Sequence, residues 1–555
     1  MPVDRLRAVN LTDKADLWIS LCLFALFLII YLLWQTRLYN LDGLVTSWRI
    51  STSIWSENFY PHHLLYVPLS ALLHLIVGNI LGFDIPLYSL QLGNCIFGAV
   101  TIGLCYMFCR KMHFTKTQST LLCLLMGFSF TFWHWTTDAD PYIAVNLLVI
   151  LALYYLFTKD AGGRSRDLVI PAMIFSLAIL IHQMALVLLL PAIALIVCRT
   201  QSWVFLKKRL AVFLVSALIP VVAGYLIVSE IIYSNSQLGG LTNFFFFHGS
   251  NPNNWIFLRD GFPAHLPAYI YHGILGHYSL FFFSAGSGQY EVFQPYAVSM
   301  WEDGILTRYV LPLVVMILSL IVLFKTAIKA VKSHNGQLWF LSVWTIPLFV
   351  FLLLWNPGYS FHRIFYLFPF LLIVFLYLDD RFPWMKNLKM RSSAGVALIG
   401  LILVVFLYNL LVAVIPQSHN SREYKLAIAG RQYLSRDDLI IVTPNQEYLS
   451  RYLRCFTLCE RMVAGDFPKG VPALGKISSF GKNNLSEADL DKLFGRIYVT
   501  QEIFDDWKTN GNFHITFRFA DDLESRKIEL DVTNWKISRE TEDNGLYEIS
   551  FASVL

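Results

Sequence analysis

Apolar residues along this chain gather into long blocks with short polar breaks between them. The first block, residues 17–34, runs 18 residues without a charge, long enough to cross the hydrocarbon core of a bilayer. Polar Gln35, Thr36 and Arg37 follow it, not the small residues of a cleavage site, so it reads as a retained span. Further blocks predict spans at 88–109, 118–135, 142–157, 168–181, 184–198, 210–230, 309–325, 337–355, 364–379 and 394–415, eleven in all. The blocks 168–181 and 184–198 are short and meet at polar His182 and Gln183, which predicts a helical hairpin that turns near or below the outer surface. From residue 417 onward charges become frequent and apolar runs shorten to strand length. There 438–442, 496–500 and 527–532 read as strands, with a turn at Thr443-Pro444-Asn445 and a helix at 448–453. The fold class expected is a polytopic α-helical membrane protein of about 11 transmembrane helices over 1–416, with a small α/β soluble domain over 417–555.

Charge placement orients the expected spans. With the N-terminus inside, the inner segments hold 20 Lys and Arg residues, among them Arg110, Lys111, Lys207, Lys208, Lys325, Lys329, Lys332 and Arg381, and the outer loops hold five. Residues 62–81 are apolar enough to span, but a crossing there would invert every later loop. They therefore read as a helix lying on the outer surface, where His62, His63, Pro68, His74 and Asn79 are tolerated. The chain is thus expected to be integral to a plasma or inner membrane, N-terminus cytoplasmic and C-terminal domain extracytoplasmic.

Composition agrees with this reading and removes alternatives. Of 555 residues 56% are hydrophobic and 15% charged, against roughly 25% charged in soluble domains. Six of the eight cysteines lie in or beside apolar runs; Cys455 and Cys459 lie in the C-terminal region, as a disulfide or as two thiols. The sequon at Asn484 matters only in a glycosylating compartment. No phosphate-binding Gly-rich loop, His-Glu-x-x-His or Gly-x-Ser-x-Gly occurs, which argues against an ATP-driven pump, a metalloprotease or a lipase. Nucleic acid is not an expected partner.

The residues able to do chemistry sit in the outer loops. Asp42, in Tyr39-Asn40-Leu41-Asp42-Gly43 just beyond the first span, is a carboxylate at an aromatic membrane boundary and suits a general base; a solvated loop aspartate is the plain alternative. Asp138 and Asp140, in Thr137-Asp138-Ala139-Asp140-Pro141, offer a second carboxylate for an acceptor or a divalent metal, or a helix cap. No metal-ligand spacing is present and no cofactor is certain. Arg363 and His362, with His62 and His63, are candidates for an anionic headgroup, Arg363 also for an interfacial anchor. His182 and Gln183, polar at a helix break, are expected to line a cavity.

The layout resembles the GT-C superfamily of membrane glycosyltransferases, in the branch of protein O-mannosyltransferases and lipid A aminoarabinose transferases, over roughly residues 10–415. That branch places an acidic residue in the first outer loop. A surface helix follows, opened by a Lys/His-Pro-Pro-Leu-like motif, then a span ending in basic residues. Here the stretches are Asp42, Tyr60-Pro61-His62-His63-Leu64-Leu65-Tyr66, Phe83-Asp84-Ile85 and Arg110-Lys111, with His63 in place of the second proline. The family's second acidic loop is matched by Asp138 or Asp140. The resemblance implies a polyprenyl- or dolichyl-phosphate sugar as donor and inverting transfer on the extracytoplasmic side. It implies Asp42 as base, and Arg363 and His62 at the lipid phosphate. The acceptor, whether protein, lipid or glycan, stays open. Two other classes compete: a lipid or polysaccharide transporter, which needs ionisable residues deep in its spans, and a non-catalytic assembly scaffold, which tolerates loss of every outer acid.

Overall fold

The computed structural model describes residues 13–52, 59–159, 165–200, 202–234, 240–246, 264–283, 309–333, 335–355, 357–358, 360–382, 393–419, 422–431, 452–453, 455–456 and seven strands between 439 and 551. By contact the chain divides into two units. The first comprises Met1–Thr36, Ile54–Gly82 and Tyr88–His419, the second Arg37–Ser53, Phe83–Leu87 and Asn420–Leu555.

The helices are α1 (Lys14–Leu33), α2 (Leu41–Thr52), α3 (Tyr66–Leu81), α4 (Pro86–Lys111), α5 (Lys116–Phe128), α6 (Phe130–Thr137), α7 (Tyr142–Lys159), α8 (Val169–Ile181), α9 (Leu189–Arg199), α10 (Trp203–Ile227), α11 (Leu241–Phe246), α12 (Leu266–Tyr278), α13 (Leu311–Ser333), α14 (Gly336–Leu354), α15 (Ile364–Arg381), α16 (Ser393–Asn409), α17 (Ile415–His419) and α18 (Arg422–Gly430). Each of the eleven expected segments contains helix, but 184–198 begins as a 3-10 turn and becomes α-helix only from Leu189. Among the described residues seven helices are long and apolar enough to cross a membrane, eight if α6 and α7, bent by 114° at residues 138–141, count as one broken span. The expected span 118–135 is likewise broken, at Ser129, whose extended backbone separates α5 from α6. Helix α3 has 16 residues, short of the roughly 20 that a crossing needs. It stops at Gly82, whose φ of 70° is the left-handed cap that glycine adopts without strain.

In the first unit each peripheral helix buries one narrow stripe and leaves the rest apolar and exposed, as lipid-facing helices do. On α13 the buried stripe is Pro312, Met316, Ser319, Leu323, Thr326 and Ala330, the repeating four-and-three spacing of a packing seam. On its other side Leu318, Phe324 and Val331 are exposed. The stripe of α1 includes Phe27 and Tyr31, and Tyr31 donates to the carbonyl of Gly127 at 3.0 Å. Gly127 has no room for a side chain, because a Cβ there would lie 2.2 Å from the Phe27 ring. Helix α15 is central, with Ile364–Ile373 and Phe375 all buried.

Side-chain bonds tie the cation-rich ends of these helices together. Arg110 bonds Asp16 at 2.9 Å and Lys116 bonds Asp13 at 2.6 Å. Gln118 donates to Asp379, Arg199 to the carbonyls of Leu156 and Phe157, and Lys329 pairs with Asp380. Among the described residues, the ends of α1, α4, α5, α13 and α15 that carry these bonds lie at one end of the bundle. Residues 61–66, 138–142, 182–183 and 360–363 lie at the other end.

The second unit contains a five-stranded mixed sheet and a hairpin. Its strands are β1 (Leu439–Val442), β2 (Arg461–Ala464), β3 (Ile497–Thr500), β4 (His514–Arg518), β5 (Lys527–Asp531), β6 (Trp535–Glu540) and β7 (Leu546–Phe551). The sheet order is β2-β1-β3-β7-β6, parallel across β2-β1-β3 and antiparallel across β3-β7-β6, while β4 pairs with β5. The unit also takes in two short segments far away in sequence. Buried Tyr452 donates to the carbonyl of Arg37 at 2.8 Å and accepts from the amide of Tyr39 at 2.6 Å. Arg37 lies over the Tyr424 ring, Arg431 pairs with Asp84, and Ser47 bonds both the amide of Leu87 and the thiol of Cys455. Cys455 is a free thiol whose ionisation burial pushes up to about 12; Cys459 and the Asn484 sequon lie outside the described residues.

Candidate active site

Four histidines from three distant stretches meet at one end of the first unit. The chain from Phe59 to Leu65 is held against α8 and α10 by backbone bonds: the amide of Leu65 donates to Leu180, that of Gln183 to His62, and Tyr225 donates to the carbonyl of Pro61. Helix α8 ends at Ile181 because His182 turns extended (φ −151°, ψ 118°), its Nδ1 accepting from the amide of Met184. The ring centroids of His62 and His63 are 3.9 Å apart, His63 and His182 4.7 Å, His182 and His362 5.5 Å. Tyr142 sits 5.1 Å from His182 and 5.5 Å from His362. His63, His182 and His362 are buried and His62 half-buried. Gln183 points its amide nitrogen elsewhere, to the carbonyl of Phe245 at 2.7 Å.

The acidic loop between α6 and α7 lies beside this cluster. Tyr66, whose ring is 5.9 Å from His63, donates to the carbonyl of Ala139. Two amides from α4 hold the loop: Gln91 donates to the carbonyls of Thr36 and Thr137, and Asn94 to those of Asp138 and Asp140. Asp138 and Asp140 are both fully buried. Asp138 accepts from the amide of Ala139 at 2.7 Å and lies 3.9 Å from His134, so its carboxylate braces its own loop.

Arg363 departs from the expectation of an open phosphate contact. It follows His362 in sequence, but its guanidinium is fully buried and turns away toward α12. It donates to Tyr366 at 3.0 Å and to the carbonyls of Pro357 and Gly273 at 2.5 and 3.4 Å. In this structure Arg363 braces the start of α15. Asp42 stands in the first turn of α2, half-buried, in the second unit.

An apolar groove of about 350 Å³ opens among α3, α4, α7 and α8. Tyr66, Asn94 and Ile181 line its inner end, and Leu69, Leu73 and Ile76 of α3 line one wall. The first two of these end residues hold the acidic loop, and the third precedes His182. The sequence reading passed over Gln91, Asn94 and Tyr142. Two amides three residues apart inside an apolar span were the available signal for the first pair, since polar groups at such depth face the bundle interior.

Comparison with known proteins bears on this architecture. Residues 60–227 match the family model described as dolichyl-phosphate-mannose-protein mannosyltransferase. The chain superposes on ArnT from Cupriavidus metallidurans bound to undecaprenyl phosphate with a TM-score of 0.51 at 13% identity, covering 93% of this chain and 98% of that one. The chain therefore shares the fold of that protein. The oligosaccharyltransferase of Archaeoglobus fulgidus tethered with an acceptor peptide matches with a TM-score of 0.51 at 14% identity, over 94% of this chain and 76% of that one. No curated protein matches the chain by sequence. The matched segment holds helix α3, the acidic loop and three of the four clustered histidines.

Proposed function

We propose that this chain is a membrane glycosyltransferase of the GT-C type, transferring a sugar from a polyprenyl- or dolichyl-phosphate donor to an acceptor on the extracytoplasmic side, with inversion at the anomeric carbon. The observation that supports the reading is the junction of the histidine cluster with the apolar groove. A lipid-linked phosphate needs cationic or hydrogen-bonding groups beside a channel for its isoprenoid tail, and both meet at Tyr66, Ile181 and His182. In the reaction the acceptor hydroxyl oxygen forms the new bond to the anomeric carbon. The bond from that carbon to the phosphate oxygen breaks, and its electron pair leaves with the lipid phosphate. His62 and His63, as donors, would stabilise that leaving charge, with His362 and His182 behind them. Asp42 is the proposed base for the acceptor proton.

The test is reconstitution of the full chain with a panel of labelled polyprenyl-phosphate sugars, reading donor binding and sugar release or transfer separately, with and without a metal chelator. Asp42→Asn is expected to bind donor as the wild type does and to lose turnover by about 100-fold or more, the scale for a general base. Unchanged turnover would remove Asp42 from the mechanism. Failure of every donor to bind would move the reading to transport or scaffolding.

A further inference from the structure

At the end of the first unit opposite the histidines, a pocket of about 370 Å³ opens between the C-terminal ends of α13 and α15 and the start of α14. Lys325, Lys329, Lys332 and Arg381 line it, with Asp380 as their acidic neighbour. Asp380 binds Lys329 at 2.6 Å, and Arg381 lies over the Tyr377 ring. Lys325 and Lys332 have no acidic partner among the described residues. Leu338 and Leu376 form an apolar floor. Directly alongside, the outer face of α13 shows Ile317, Ile321 and Phe324, at 47, 41 and 68% exposure.

We propose that this pocket binds the phosphate headgroup of an anionic membrane lipid, its acyl chains lying along the outer face of α13. Lysines that only anchor a helix end reach outward to the interface one by one. Here four cations from two helices converge on one concavity and exceed the local acid. Basic pockets between membrane helices suit anionic headgroups. The contiguous apolar face favours a lipid over free phosphate, which needs no such surface. The site is separate from the histidine cluster, since the two lie at opposite ends of α15, and the proposal does not depend on the activity proposed above.

The experiment is titration of the delipidated full-length protein with phosphatidylglycerol, with phosphatidylcholine and inorganic phosphate in parallel, counting bound lipid by native mass spectrometry. Phosphatidylglycerol is expected to bind more tightly than phosphatidylcholine, and excess inorganic phosphate is expected not to displace it. The double change Lys325→Gln with Lys332→Gln should weaken phosphatidylglycerol by about tenfold and leave phosphatidylcholine unchanged. Lys325→Arg with Lys332→Arg should restore it. Lys207→Gln with Lys208→Gln, at exposed positions on α10, is the control for diffuse charge. Equal loss in that control, no loss in the pocket variant, or full displacement by inorganic phosphate would overturn the proposal.

Discussion

At the scale of single residues, backbone and guanidinium crowd each other around Gly276. A Cβ there would lie 2.6 Å from the carbonyl oxygen of Pro357 and 2.8 Å from Arg363 Nη2. Neither neighbour can give way easily, because Arg363 is tied to Tyr366 and Pro357, and Tyr366 is tied in turn through His277 to Ser319. Gly276→Ala is therefore expected to destabilise the protein by about 1–3 kcal/mol, the usual cost of overpacking a core. Thermal unfolding of the detergent-purified variant checks this; an unchanged midpoint would show that α12 shifts freely. Arg363 also marks where sequence reading stopped short. Its type and its place beside a span end matched a phosphate contact, but the direction of its side chain depended on α12, far away in sequence.

At the scale of elements, α4 does more than cross the bilayer. Gln91 and Asn94 project from one face of it into the acidic loop, and Gly98 lets that face approach closely, since a Cβ there would strike Thr136 at 2.3 Å. Asn94→Leu removes the donors that Asp138 and Asp140 share through their carbonyls. The expected cost is about 1–2 kcal/mol of stability. The sugar transfer proposed above should fall further than the folded fraction does, because the loop beside the histidines loses its brace. Measured turnover per folded molecule, with donor affinity determined separately, decides this; equal losses in both would make Asn94 purely structural. The break at His182 was legible because a polar pair interrupts two short apolar blocks, but the two helices that flank it pack on other helices and not on each other as a hairpin. The break at Ser129 was not legible, because residues 118–135 read as continuous.

At the scale of the whole molecule, the second unit is assembled from three pieces of chain. The ion pair of Asp84 with Arg431 joins two of them. The hydrogen bond from Arg431 holds the Asp84 carboxyl below its ordinary range. A depressed carboxylate stabilises the fold above its unfolded value, so this contribution is present above about pH 4 and is lost as pH falls further. The pair is largely exposed, so its worth is below about 1 kcal/mol. Asp84→Asn should lower the unfolding midpoint slightly at pH 7, and the difference from the wild type should shrink as pH falls below about 4. A difference that does not shrink on acidification would show that the pair is not what the substitution removed.

The sequence by itself determined the class of the protein, because crossing a bilayer demands long apolar runs and the Lys and Arg residues report their ends. It also marked β1, β3 and β5 to within a residue or two, from runs of β-branched and apolar residues between turn-forming ones. It nominated His62, His63, His182 and His362 separately, as polar groups where a membrane chain tolerates few. Only the tertiary structure decided that these four stand together and that an apolar groove opens beside them. Only the tertiary structure turned Arg363 inward and put Arg37–Ser53, with Asp42, into the same unit as Asn420–Leu555. The physical reason is shared. Apolar length and charge are local properties of a segment, whereas side-chain direction and partnership depend on which distant helices fill the space around it.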